Sequence, residues 1–251
     1  MTPIERRFAQ ENRDLIGIVK PSLFIYFCNI SLKYRYIYHS TPKVACSTTL
    51  LTLQRAEIED PDFFYPEFED IHEKNLSALL RPTQIGSLSR LLASPHYFKF
   101  CFVRNPFTRI LSCYLDKMEG GHPHKRVVLS LLGRPAEDLS QPVSFEEFLD
   151  AIATQHISEM QDHWFIQWYH LGEGRLPFDI IGRFETFPRD FGEILERIGI
   201  DVTTYYAQEV RNVTNAGRLL EQYYDKRLAE LVRRIYAVDF EHFGYPRDLP
   251  I

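Results

Sequence analysis

The stretch FKFCFVRNPFTRILSCYLDKM, residues 98–118, decides the fold class. Its opening run, Phe98 to Val103, is almost wholly apolar, as a strand buried on both faces of a sheet must be. Asn105 then supplies an N-cap, and Pro106 takes the first helical position, where a missing N–H costs nothing. Beyond it Phe107, Ile110, Leu111, Tyr114, Leu115 and Met118 recur at helical spacing and mark one buried face. A buried strand feeding directly into an amphipathic helix is the unit from which parallel sheets are made.

The same unit recurs on either side. Upstream, a strand over Tyr34–Tyr38 leads through a polar loop into a helix from about Thr48 to Glu57. Downstream, a strand over Phe178–Phe184 leads into a helix whose Phe187, Phe191, Ile194, Leu195 and Ile198 form one stripe, closed by Gly199. Ser144 and Glu147 make a capping box ahead of Phe145, Phe148 and Leu149, and Leu219–Tyr236 reads as a final amphipathic helix. The segment EDPDFFYPEFED is a loop, because Pro61 and Pro66 exclude a regular element. No repeat or linker divides the chain. The expectation is an α/β fold in a single domain, residues 1–251, with a central parallel sheet flanked by helices.

Composition narrows the function classes. In 251 residues, 45% are hydrophobic and 14% aromatic, which excludes a disordered chain. With 29 basic against 34 acidic residues the net charge is −5, so non-specific binding to nucleic acid is not expected, and any anion site must be built locally. The longest apolar stretch, LIGIVKPSLFIYFCNI, is interrupted by Lys20 and Pro21 and falls short of the roughly 20 residues of a spanning helix. The polar start MTPIERRFAQENRD lacks the layout of a signal peptide. Cys28, Cys46, Cys101 and Cys113 form no CxxC pair, and a cytoplasmic, reducing location is expected; the sequons at Asn29 and Asn212 then carry no meaning.

Chemistry concentrates at two strand–loop–helix junctions. In YIYHSTPKVACSTTLLTLQ the strand ends near His39, Lys43 sits in the loop, and Ser47, Thr48 and Thr49 open the helix. The free N–H groups of a first turn attract anions, aided by the helix dipole. The nucleotide-hydrolase pattern GxxxxGK[ST] is absent: no glycine is present, and the lysine precedes the turn. At the second junction Arg104 ends a strand at the carboxyl edge where α/β sheets bind ligands, and Ser112 lies on the polar side of the helix with Thr108, Arg109 and Asp116. Such an arginine and serine can grip one phosphate through charge-assisted hydrogen bonds, although a surface arginine beside a solvated helix face gives the same pattern.

Taken as a pair, TPKVACSTT resembles the 5′-phosphosulfate loop and FVRNPFTRILSCY the 3′-phosphate motif of sulfotransferases that use 3′-phosphoadenosine 5′-phosphosulfate (PAPS). QDHWFIQ resembles the His-Trp-x-Pro-Gln segment of the carbohydrate sulfotransferases acting on chondroitin, dermatan and the HNK-1 glycan, with Ile166 in place of the proline. DIIGRFETF resembles their Phe-(Ile/Val)-Gly-x-(Phe/Tyr)-Glu strand, and IYAVDFEHFGY their C-terminal Tyr-x-x-Asp-Phe-x-x-Phe-Gly-Tyr. The resemblance implies a P-loop-NTPase-like sulfotransferase fold. It also implies a soluble, bacterial-type member of the family, with a carbohydrate or glycoconjugate acceptor.

On that resemblance Lys43 stabilises the leaving oxygen, and the main-chain N–H groups of Ala45, Cys46, Ser47, Thr48 and Thr49 cradle the 5′-phosphate. Arg104 and Ser112 hold the 3′-phosphate, and Arg211, in RNVTNAGR, closes over the nucleotide. A sugar hydroxyl needs a base; of nine histidines, His163 is preferred from the His-Trp segment and His72 is second, while His122 and His124 read as a solvated loop. No metal is expected, since no His/Cys/Asp group has ligand spacing. Cys46 as a nucleophile is set aside for want of a His/Asn partner pattern, and Trp164 and Trp168 read as core rather than as a sugar platform. Two rivals remain: a small-molecule or nucleoside kinase, against which the missing glycines speak, and a catalytically silent nucleotide- or glycan-binding module.

Overall fold

The computed structural model describes residues 2–13, 20–119, 121–207 and 214–250. In chain order the elements are α1 (Pro3–Glu11), α2 (Pro21–Phe27), β1 (Cys28–Ser31), β2 (Tyr36–His39), α3 (Cys46–Ile58), α4 (Leu88–Ala93), β3 (Phe98–Val103), α5 (Pro106–Lys117), α6 (Lys125–Leu131), α7 (Phe145–Ala153), α8 (Gln167–His170), β4 (Ile180–Arg183), α9 (Phe187–Arg197), α10 (Val202–Tyr205), α11 (Leu220–Tyr223), α12 (Lys226–Ile235) and α13 (Ala237–His242). They divide between two compact units, residues 1–103 with 167–211, and residues 104–166 with 212–251. No helix among the described residues is long and apolar enough to cross a membrane.

The first unit holds a four-stranded sheet in the order β1-β2-β3-β4. Strands β2, β3 and β4 are parallel, as expected, and β1 is an antiparallel edge strand that corrects the wholly parallel expectation. Alternation along the strands sends side chains to opposite faces. On one face Tyr36, Tyr38, Phe100 and Phe102 pack with Leu50 and Leu53 of α3 and with Phe191, Ile194 and Leu195 of α9. Tyr38 stacks on Phe100 at 5.0 Å, and Phe102 meets Phe187 and Phe191 at 5.0 and 5.9 Å. On the other face His39 lies 5.0 Å from Phe24 of α2 and 5.1 Å from His170 of α8. Helices therefore cover the sheet on both sides.

Strand β4 must come close to this aromatic layer. Gly182 pairs with Phe102, and a Cβ at residue 182 would stand 2.4 Å from the Phe102 ring. Only glycine permits that approach.

The second unit is helical. Asn105 caps α5 by accepting from the Phe107 N–H at 2.9 Å, and the Ser144–Glu147 box closes α7 in both directions. Its core gathers Phe107, Tyr114, Phe145, Phe148, Trp164, Tyr224, Tyr236 and Phe240. The buried hydroxyls are satisfied by main-chain carbonyls: Tyr224 donates to Phe107 at 2.9 Å and Tyr236 to Trp164 at 2.7 Å. The expected continuous helix over Leu219–Tyr236 is broken, because Asp225 caps a new start by accepting from the Leu228 N–H at 2.7 Å.

Two outcomes follow from the sheet. Gly182→Ala should cost roughly 1–3 kcal/mol of stability, because a methyl group forced into a filled core shifts its neighbours; urea denaturation with an unchanged midpoint would contradict the close approach. Burial foremost, then the neighbouring His170, holds His39 well below the ordinary histidine value of 6.5. Above pH 6.5 folded and unfolded chains both keep this ring neutral; below it only the unfolded chain takes up the proton. Stability should therefore fall as pH drops below 6.5 towards the folded-state value, by at most about 1.4 kcal/mol per pH unit for this group. His39→Leu should flatten the acid side of a melting-temperature profile by that share.

Candidate functional site

Strand β2 ends at His39 and the chain turns through Ser40–Ala45 into α3. The turn is tight enough to force non-glycine residues into left-handed conformations, with φ of +70° at Lys43 and +64° at Ala45. Such positions cost of order 1–3 kcal/mol each and persist where the surroundings over-determine them. Val44, between them, is fully buried, which anchors the loop to the core of the first unit.

Ala45 stands at the N-cap position, and no side chain caps the helix. The Thr49 N–H donates to the Ala45 carbonyl at 3.0 Å, so the first intrahelical bond begins there. The N–H groups of Ala45, Cys46, Ser47 and Thr48 precede that bond at the head of α3. Thr49 is not among them: its hydroxyl also bonds back to the Ala45 carbonyl, at 3.1 Å. The expected cradle of Ala45 to Thr49 thus contracts at its far end.

The fold brings His72 to this helix start. Its Nε2 lies 2.9 Å from Ser47 Oγ, and its carbonyl accepts from Tyr26 Oη at 3.1 Å. Lys74 follows: its ammonium donates to Asn29 Oδ1 at 3.0 Å and lies 4.9 Å over the Tyr26 ring. Burial pushes Lys74 down to about 8. The Cys46 thiol is raised, because burial outweighs the pull of Lys43 and Lys74. A raised thiol is a poor nucleophile, which agrees with setting Cys46 aside. Lys74 was not singled out by the sequence, since it lies between Pro61 and His96, where no motif is recognisable.

In the second unit Arg104 is buried, and its Nε donates to Thr108 Oγ1 at 3.0 Å. Ser112 lies one turn beyond Thr108 on α5; it is also buried, and its Oγ accepts from Thr214 Oγ1 at 3.0 Å. Arg104, Thr108 and Ser112 therefore fall on one side of the start of α5. Arg109 departs from the expected polar face: it is 2% exposed and donates to the Phe165 carbonyl at 2.9 Å. Its role is to hold the segment containing Trp164 within the second unit. Arg211 lies outside the described residues.

His163 has an orienting partner, since its Nδ1 lies 2.9 Å from Asp162 Oδ1. The expected solvated loop at His122 and His124 is also corrected. His124 packs edge-on against His163, with ring centroids 4.4 Å apart, and burial foremost pushes it down to about 4. One ligand atom each from His124, Asp162 and His163 come within 4.8 Å of one another, a grouping that sequence spacing does not reveal. Trp164 is fully buried, as expected of core, and Trp168 is half-buried.

Comparison with known proteins matches residues 28–246 to the profile described as the sulfotransferase family. Among curated proteins the chain is similar to carbohydrate sulfotransferase 14 of Danio rerio, 28% identical over 231 residues that cover 85% of this chain and 60% of that protein. It is 25% identical over 232 residues to carbohydrate sulfotransferase 11 of Mus musculus, covering 84% of this chain and 65% of that protein. Carbohydrate sulfotransferase 10 of Danio rerio is 26% identical over 247 residues, with 89% and 66% covered. The chain thus spans about three fifths to two thirds of these relatives. No solved structure matches it significantly.

Proposed function

The chain belongs to the sulfotransferase family, and from that membership we propose that it moves the sulfuryl group of PAPS to a hydroxyl of a carbohydrate acceptor. The observation that carries the proposal is the turn into α3. Left-handed Lys43 and Ala45 lead into a helix start without a side-chain cap, and Ser47 is held there by His72. A fixed array of N–H donors with an adjacent ammonium suits a dianionic group, and a resting electrostatic frame needs no reorganisation as charge moves.

Sulfuryl transfer, like phosphoryl transfer, gives a protein little covalent work; catalysis is positioning and charge stabilisation. Negative charge grows on the oxygen between sulfur and the 5′-phosphate, and Lys43 neutralises it. The N–H groups of Ala45, Cys46, Ser47 and Thr48 hold the 5′-phosphate. Arg104 and Ser112 hold the 3′-phosphate, the group that separates this donor from ATP. The acceptor hydroxyl loses its proton to a histidine. His163 has Asp162 as a hydrogen-bonding neighbour and His72 has Ser47, which supports each as a candidate for that base.

Adenosine 3′,5′-bisphosphate should raise the melting temperature, by a stabilisation of about 2.7 kcal/mol at 100 times its dissociation constant. Adenosine 5′-monophosphate should bind more weakly, and Arg104→Ala should remove most of that difference; equal calorimetric affinities of the two nucleotides for the wild type would sink the 3′-phosphate assignment. Lys43→Ala should lower turnover by roughly 100-fold or more while weakening bisphosphate binding far less, since the charge it meets develops in the transition state. Near-normal turnover of that variant with radiolabelled PAPS and an oligosaccharide panel would make the loop a docking site only. His163→Ala should keep nucleotide affinity, whereas His72→Ala also releases Ser47 at the head of α3; the variant that loses transfer with bisphosphate affinity unchanged identifies the base, and full transfer in both variants overturns a histidine base.

A further inference from the structure

We propose that His124, Asp162 and His163 form a binding site for one divalent transition-metal ion of the zinc class. The residues come from two places in the second unit: His124 heads α6, and Asp162 with His163 precedes Trp164. Asp162 Oδ1 lies 2.9 Å from His163 Nδ1 and 3.9 Å from His124 Nε2. A tetrahedral zinc with ligand bonds of about 2.0–2.2 Å keeps its ligand atoms roughly 3.3 Å apart, between those two distances. All three ligand atoms lie within 4.8 Å of one another, so side-chain rotation on binding has to shorten the wider separations.

The donors select the ion. Two imidazoles and one carboxylate suit zinc, cobalt and iron, whereas magnesium and calcium demand oxygen ligands throughout. Three protein ligands leave a fourth position for water or an external donor. The side chains are shielded yet reachable, at 27% exposure for His124, 18% for Asp162 and 20% for His163.

Outer contacts hold the ligands in place, as they do around established metal sites. His124 Nδ1 lies 3.0 Å from His122 Nδ1, and the His163 main-chain N–H donates to Asp162 Oδ1 at 3.0 Å. Buried Trp164 fixes the backbone next to His163 and donates to Gln155 Oε1 at 2.8 Å. Lys117, whose ammonium is 3.0 Å from His122 Nε2, is paired with Asp116 at 3.0 Å, which offsets its charge. An ion here would engage His163, so if that residue is the base, the metal inhibits transfer; binding itself does not depend on the assignment.

The test uses tag-free, chelator-treated protein titrated with cobalt(II) and followed by visible absorption, with zinc added in parallel thermal melts. One cobalt per chain should give a d–d spectrum that zinc abolishes, and zinc should raise the melting temperature. His124→Gln and Asp162→Ala should each weaken cobalt binding by at least about tenfold. The shift produced by adenosine 3′,5′-bisphosphate, measured on the same samples, reports folding and the donor site separately, so failure of one assignment is distinguishable from failure of the other. Absence of both the cobalt spectrum and the zinc shift in the wild type, or unchanged cobalt affinity in both folded variants, overturns the site.

Discussion

The structure of the first unit depends on the aromatic layer that β2 and β3 present to α3 and α9. Tyr36, Tyr38, Phe98, Phe100 and Phe102 follow one another along one face at successive contact distances. Each such pair adds about 0.5–1.5 kcal/mol beyond its buried area, and the period of two makes a one-residue slip expel all of them together. Register is thereby set at Tyr36↔Phe98 and Phe102↔Gly182. With the register set, β2 must end at His39, and the turn that follows must cross to α3 within Ser40–Ala45. Within that span Lys43 and Ala45 take left-handed conformations.

Much of this was legible in the sequence, and its limits have physical causes. The strand Phe98–Val103, the Asn105 cap and the Ser144–Glu147 box were readable because each rests on neighbours in the chain. The edge strand β1 was not: its residues fall in an apolar stretch with no alternation, and a short buried run looks the same in a strand and in a helix. Asp225 was hidden inside an otherwise continuous helical stripe, since aspartate on a polar face and aspartate at a cap look alike in sequence. Arg109 was assigned to solvent because its pairing with the Phe165 carbonyl joins distant residues. For the same reason His124 and His163 could not be recognised as neighbours.

The segments that carry the resemblance separate into structural and chemical parts by their contacts. Gly182 answers to the Phe102 ring, and Tyr236 and Phe240 answer to the Trp164 carbonyl and the Phe107 ring. None of these residues needs a ligand to explain it. Lys43, Ser47 and the main-chain donors of α3 are different, because packing alone does not require an ammonium and hydroxyl at a strained turn. Trp164 shows the division within one segment: its indole is spent on the core, while the preceding His163 keeps a partly exposed ring beside Asp162.

The turn into α3 also differs in kind from a glycine-rich phosphate loop. Glycine reaches left-handed conformations without strain, yet it surrenders more chain entropy on ordering than any other residue. Lysine and alanine at +70° and +64° reverse that balance: strain is carried by the folded chain, and fewer alternative shapes compete with it. Buried Val44 supplies the packing that holds the strained pair. A loop held in this way presents its donors before any anion arrives, so ordering cost at binding is small. The same rigidity suits charge stabilisation, which is most effective when dipoles and ammonium stand in place before the bond breaks.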